Sequence, residues 1–290
     1  MSDASPDPAG GETVDLGPVS LWVDVQGPDD GEVVLLIAGA DSPGLRWTPA
    51  FVAPLVADGW RVVRFDHRDC GRSTRFGPDD GYLLDDLTAD AVALLDHLGV
   101  ARAHVVGRSM GGMIGQLLAL DHPERVRSLT LLGTSPDPAN LELGGPADDF
   151  VDAMMTRLFA GPPGDVDGRT AWLVELDRLL HGPRFEFDEA RQRRLARAEL
   201  DWGWAPETGH GVAVHASPSR LDRLAGIGVP TLVVHGDADP VFPLAHGRAL
   251  AEGIPGAALV EVTGLGHEVP DELVPELLPA LLHHLRLAPG

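Results

Sequence analysis

At 290 residues, 44% of them hydrophobic and 23% charged, the chain can bury one large core, or one core plus a modest insertion. Forty-four acidic residues against 22 basic ones leave a net charge of −22, a field that repels phosphate backbones and anionic membrane surfaces. Neither a nucleic-acid nor a membrane partner is therefore expected, and no apolar run is long enough for a membrane helix. Every basic residue is arginine, which excludes a Schiff-base lysine, and the lone Cys70 excludes an internal disulfide or a cysteine-based zinc cluster.

Residues 1–17 are acidic and rich in Pro, Gly and Asp, with no basic or apolar leader pattern; they read as a short disordered lead-in, and the chain as cytoplasmic. Residues 19–25 alternate weakly, as an exposed antiparallel strand does. Residues 33–37 are continuously apolar, the pattern of a strand buried on both faces, and run into Ala38-Gly39-Ala40. A helix is expected over 47–57, a strand over 61–65 and an amphipathic helix over 83–98, opened by Asp85 and Asp86 and closed before Gly99. A strand over 103–106 then meets Gly107-Arg108-Ser109-Met110-Gly111, followed by helical sequence over 113–121 and a strand over 128–132. Short strands alternating with helices imply an α/β fold with a mostly parallel central sheet flanked by helices.

The alternation stops at Gly133. Residues 135–221 carry helical patterns over 148–159, 170–180 and 189–200, joined by Pro/Gly-rich segments, and read as an inserted helical cap. Sheet-like order returns with a strand over 231–235, a helix over 244–252, a strand over 258–262 and a closing helix over 271–287. Residues 18–134 and 222–290 would form the core domain, with the cap over the C-terminal edge of the sheet, where open α/β sheets bind ligands.

A G-x-S-x-G segment between a strand and a helix puts Ser109 at the apex of a sharp turn, exposed as a nucleophile must be. Its base should lie in a loop after a late strand. Among twelve histidines only His267, in Gly264-Leu265-Gly266-His267, does so. His283 and His284 on the last helix, and His210 and His215 in the cap, read as surface or lining residues, and His235 as a core histidine. The orienting acid is sought past the strand over 231–235, where Asp239, held extended by Pro240, is preferred and Asp237 is the alternate. The N–H groups of Ala40 and Met110 are the candidate oxyanion donors. Trp202, Trp204, Met154 and Arg108 are the candidate substrate contacts, the first three because bulky apolar side chains in a cap suit a flat hydrophobic ligand. Neither a metal-binding spacing nor a dinucleotide or P-loop glycine pattern occurs, so no cofactor is expected.

With these residues assembled, the chain resembles the α/β-hydrolase superfamily over roughly residues 18 to 286, and within it the aclacinomycin methylesterase-like enzymes of anthracycline biosynthesis. The segments that carry the likeness are Phe65-Asp66-His67-Arg68-Asp69-Cys70-Gly71-Arg72-Ser73-Thr74, residues 103–111, and Gly236-Asp237-Ala238-Asp239-Pro240 with residues 264–267. Asp69 stands where the wider superfamily has glycine. Ala38-Gly39 replaces the usual His-Gly before the oxyanion loop, and Arg108 puts a charge beside the nucleophile. The resemblance implies a serine hydrolase with Ser109, His267 and Asp239 as triad; the expected partner is a small-molecule hydrophobic ester, bulky and of the anthracycline methyl-ester type, and the expected state a monomer or homodimer. The same triad serves general carboxylesterases, carbon–carbon bond hydrolases, acyltransferases and perhydrolases, and some ligand-binding relatives keep it without catalysis. Dehalogenases and epoxide hydrolases use aspartate at this turn, so Ser109 argues against them.

Overall fold

The computed structural model describes residues 10–77, 80–206 and 208–288. Among these, eight strands form one sheet: β1 (Glu12–Asp15), β2 (Ser20–Gln26), β3 (Val33–Ile37), β4 (Arg61–Phe65), β5 (Ala103–Arg108), β6 (Val126–Leu132), β7 (Thr231–Gly236) and β8 (Ala258–Val262), in the order β1-β2-β4-β3-β5-β6-β7-β8. β1–β2 and β2–β4 are antiparallel, and every other pair is parallel. Strands buried on both faces need apolar residues at every position. All of Val33–Ile37 is accordingly buried, as is nearly all of β5, β6 and β7.

The faces of the sheet are covered by α1 (Pro49–Ala57) and, at the chain's end, by a helix over Val274–Leu287 on one side. The other side carries α2 (Leu84–His97), α3 (Met110–Asp121) and a helix over Leu244–Gly253. In α2 the stripe Leu84, Leu87, Ala91, Leu94 and Leu95 is buried, and the Asp86 carboxylate accepts the Leu83 N–H at 2.8 Å, closing the first turn. α3 is buried around nearly its whole circumference, which its Gly-rich, apolar sequence permits.

Between β6 and β7 the chain forms α4 (Asp148–Ala160), α5 (Val166–Leu180), α6 (Glu189–Trp202) and α7 (His210–Ala216), with no strand among the described residues there. Leu244–Gly253 is α8 and Val274–Leu287 is α9. No helix among the described residues is long and apolar enough to cross a membrane.

Several expectations need correction. β1 lies inside the segment read as lead-in, because Glu12 to Asp15 pairs with Ser20 to Val23; residues 1–9 of that segment lie outside the described residues. β2 is not exposed: Leu21 to Asp24 are buried between β1 and β4, and Asp24 pairs with Arg64 at 2.8 Å across the sheet. The serine-turn helix begins at Met110 rather than 113, and the last helix starts at Val274 after a short 3-10 turn. The inserted segment has a fourth helix, α7, too short to leave a clear apolar period.

The chain passes from β3 outward to β4, then back across β3 to β5. The strand order therefore reverses between β3 and β5, and the crevice at their C-terminal ends is where such a sheet opens to ligands. Ala38–Ala40 and Ser109 emerge there.

Candidate active site

Ser109 stands between the last residue of β5 and the first of α3, with φ 53° and ψ −121°, a left-handed conformation that costs a non-glycine residue energy. The turn is so tight that a Cβ on Gly107 would lie 2.3 Å from the Gly111 carbonyl oxygen, and one on Gly111 2.2 Å from that of Ile37. The serine backbone is held at both ends: its N–H donates to Leu132 O at 3.0 Å, and Thr134 Oγ1 donates to its carbonyl at 2.6 Å.

Three side chains from three loops form a line. His267 Nε2 lies 3.0 Å from Ser109 Oγ, and His267 Nδ1 lies 2.8 Å from Asp239 Oδ2. Since the carboxylate can only accept, the neutral imidazole carries its proton on Nδ1 and leaves Nε2 free to take the serine proton. Asp239 Oδ1 accepts the N–H groups of Val241 at 2.8 Å and Phe242 at 3.0 Å. Burial opposes the Asp239 charge, but His267, His235 and the Phe242 N–H outweigh it and hold the carboxyl below its ordinary range. Asp237, the alternate acid, is exposed and instead accepts the Gly264 N–H at 2.6 Å from the loop after β8. The His267 loop is anchored from the insertion: its N–H donates to Leu180 O, at the end of α5, at 2.8 Å.

Met110 is the first residue of α3, so its N–H has no partner within the helix and sits at the positive end of the helix dipole. The loop after β3 comes against the serine: a Cβ on Gly39 would lie 3.3 Å from Ser109 Cβ. Neither the Ala40 nor the Met110 N–H donates to a protein acceptor among the described residues. One unengaged donor thus follows Ser109 in the chain, and the other follows the residue packed against it.

The expected substrate contacts fare differently. Trp202 is 3% exposed; its indole N–H donates to Asp66 Oδ2 at 2.8 Å, and its ring meets Trp22 edge-on at 4.9 Å. It is a core residue joining α6 to the β4 loop, because a buried indole needs an acceptor and the buried Asp66 supplies one. Trp204 packs on Leu173, Val174 and Ala196 and lines a small recess with Asp41 and Thr208. Met154 is half-buried on α4. Arg108 turns onto the oxyanion loop: its Nη2 donates to Ser42 Oγ at 3.1 Å, and that hydroxyl donates to Ala40 O at 3.2 Å. No carboxylate lies within ion-pair distance of Arg108 among the described residues, and burial lowers its pKa. The cavity it lines with Ala38, Trp47 and Phe51, about 20 Å³, has room for a single water.

The histidines also rearrange. His210, read as a surface or lining residue, is fully buried beside the oxyanion loop, and His284 is buried with Nε2 donating to Leu129 O at 3.1 Å. Sequence reasoning also missed the ion cluster behind His267. There Arg46 pairs with Asp177 of α5 (3.1 Å), Glu199 of α6 and Glu268 (3.5 Å). Burial pushes the Asp177 carboxyl up to about 6. No spacing in the chain announces this cluster, since its members come from four distant segments.

A family model of the alpha/beta hydrolase fold matches residues 32–272. The rhodomycin D methylesterase DauP of Streptomyces sp. (strain C5) is 39% identical over 288 residues, covering 93% of this chain and 96% of its own. The rhodomycin D methylesterase DnrP of Streptomyces peucetius is 39% identical over 293 residues with the same coverage, 93% and 96%. Among solved structures, the enol-lactonase from Burkholderia xenovorans LB400 superposes with a TM-score of 0.73 at 25% identity, covering 95% of this chain and 100% of that one. The chain belongs to the α/β-hydrolase fold family, as a methylesterase-like hydrolase.

Proposed function

We propose that the protein is a serine carboxylic-ester hydrolase acting on a bulky hydrophobic ester, a polyketide methyl ester of the anthracycline type. The observation that carries the chemistry is the line Ser109–His267–Asp239, at 3.0 and 2.8 Å, beside two unengaged N–H donors. His267 Nε2 takes the Ser109 proton as Oγ attacks the ester carbonyl, and the oxyanion is held by the Ala40 and Met110 N–H groups. The tetrahedral adduct expels the alcohol, methanol in this case, which leaves with the proton from His267. Water, deprotonated by the same imidazole, then attacks the acyl-enzyme; Ser109 leaves reprotonated and the free acid departs. Asp239 keeps the proton on Nδ1 and stabilises the imidazolium. No cofactor enters these steps.

The substrate class is supported by the two rhodomycin D methylesterases and by α4, which has no buried residue and exposes Met155, Leu158 (73%) and Phe159 (83%). Apolar side chains left facing water on one short helix suit a hydrophobic ligand better than a core.

The test is mass spectrometry of an anthracycline methyl ester incubated with native protein and with Ser109→Ala. Conversion to the free acid with methanol release, by the native protein only, is expected. If that substrate survives while small aryl esters are cleaved, the serine chemistry stands and the polyketide substrate falls. If Ser109→Ala hydrolyses as fast as the native protein, the nucleophile is misassigned.

A further inference from the structure

The loop that brings Ala40 to the nucleophile, residues 38–41, is gripped from behind by two buried histidines that the triad does not use. His67, from the loop after β4, points Nε2 at Ala38 O at 3.1 Å. His210, the first residue of α7, points Nδ1 at the Asp41 backbone nitrogen at 2.9 Å and Nε2 at Arg68 O at 2.9 Å. The two rings meet edge to face with centroids 5.8 Å apart. A carbonyl can only accept, so Nε2 of His210 must carry a proton. In the neutral ring Nδ1 is then a bare lone pair, and the Asp41 N–H donates to it. Asp41 Oδ1 lies 3.2 Å from the same Nδ1 and accepts the Thr208 hydroxyl.

The conformation held there is not one the chain adopts freely. Asp41 has φ 58°, in the left-handed region where a non-glycine residue needs outside support. The support comes from the peptide's own N–H, bonded to a fully buried ring. Gly39 on one side lies against Ser109, and the Ala40–Asp41 peptide on the other is pinned to α7 through its N–H, so Ala40, which carries the candidate donor, is fixed on both sides.

We propose that His210 is a positioning residue of the oxyanion hole, holding the Ala40–Asp41 peptide by its N–H so that the Ala40 N–H before it faces the carbonyl under attack. The inference rests on the serine-hydrolase reading above and adds to it a residue from the inserted helices. An oxyanion donor is worth about 10² to 10³ in rate when removed, and one left in place but turned away loses a large part of that.

The experiment pairs His210→Asn with His210→Gln, using p-nitrophenyl acetate hydrolysis and inhibition by an aryl trifluoromethyl ketone, whose serine adduct carries an oxyanion. Asn places its carbonyl where Nδ1 stands and can still accept the Asp41 N–H; Gln reaches toward Arg68 O and cannot. The Gln variant should lose about tenfold or more in kcat with little change in KM, and bind the ketone more weakly by a similar factor. The Asn variant should recover most of both. Equal kcat in native, Asn and Gln proteins, with Ser109→Ala inactive, would overturn the proposal and leave the serine mechanism intact. Activity surviving in Ser109→Ala would instead overturn the mechanism. Nitrogen NMR shifts of the His210 ring in the native protein give a reading independent of how the variants fold. The Nε2–H tautomer is expected, whereas an imidazolium or the Nδ1–H tautomer would contradict the Asp41 bond.

Discussion

Asp239 and Asp237 are two residues apart in one loop, yet only Asp239 reaches His267. Replacing the acid by an amide tests that division. Asp239→Asn presents an N–H to Nδ1, or forces the imidazole proton onto Nε2, where it cannot accept from Ser109. A drop of about 10⁴ in kcat is expected, against a change within about twofold for Asp237→Asn. Comparable losses in the two variants, measured on a p-nitrophenyl ester, would mean that the acid is wrongly assigned. What separates them is tertiary: Asp239 gives Oδ2 to His267 while its Oδ1 accepts the Val241 N–H two residues on, and Asp237 accepts the Gly264 N–H from another loop. No local signal marks Trp202 either. An indole in an irregular segment looks the same in sequence whether it faces a ligand or a buried aspartate.

At the scale of elements, the inserted helices are tied to the core through Arg46. One guanidinium, in the segment between β3 and α1, reaches carboxylates on α5, on α6 and immediately after His267. Burial opposes its charge, but Asp177 and Glu268 overcome this and raise its pKa above the ordinary value. Arg46→Met keeps the stem's apolar contacts and leaves the carboxylates without that partner. Breaking a buried pair from one side typically costs about 3–5 kcal/mol, and a loss of that order is expected in chemical denaturation. A loss below about 1 kcal/mol would mean that water or a proton already satisfies the cluster. Most helices and strands of the core were legible in the chain because their signals are local: a 3.6-residue stripe in α2, unbroken apolar runs in β3 and β7, glycines around Ser109. The cluster was not, since residues 46, 177, 199 and 268 become neighbours only when α5 and α6 pack beside the loops that carry Arg46 and Glu268.

For the whole molecule, the buried histidines set a pH dependence. Burial lowers the pKa of His67 to about 3 and of His104 to about 4, and moves His235, His246 and His284 in the same direction. In the unfolded chain these rings take up protons below about pH 6.5, whereas the folded protein keeps them neutral to lower pH. Stability is therefore lost as pH falls from about 6.5 toward 4, at about 1.4 kcal/mol per pH unit for each fully affected ring. Asp66, Asp90 and Asp177 work the other way. Burial raises their pKa values, so the folded state binds their protons first and recovers part of the loss below about pH 6. With five rings against three carboxyls, Tm should decline between pH 6.5 and 4.5 in a thermal melt at constant ionic strength. A flat or rising Tm over that interval would show that the rings are reached by water in the folded state.

By itself the sequence determined the fold class, the order of most core elements, the serine turn, and a histidine and a pair of aspartates to set beside it. Each of those follows from periodicity, from steric limits on a few consecutive residues, or from the place of a loop after a strand. Tertiary structure alone decided that β1 joins the sheet, that Trp202 is core and that Arg108 braces a loop. It alone also put two histidines, 143 residues apart in the chain (67 and 210), on opposite ends of the oxyanion segment. Hydrogen bonds and ion pairs between distant segments carry no period and no spacing, so they exist only once burial has removed water from the groups that make them.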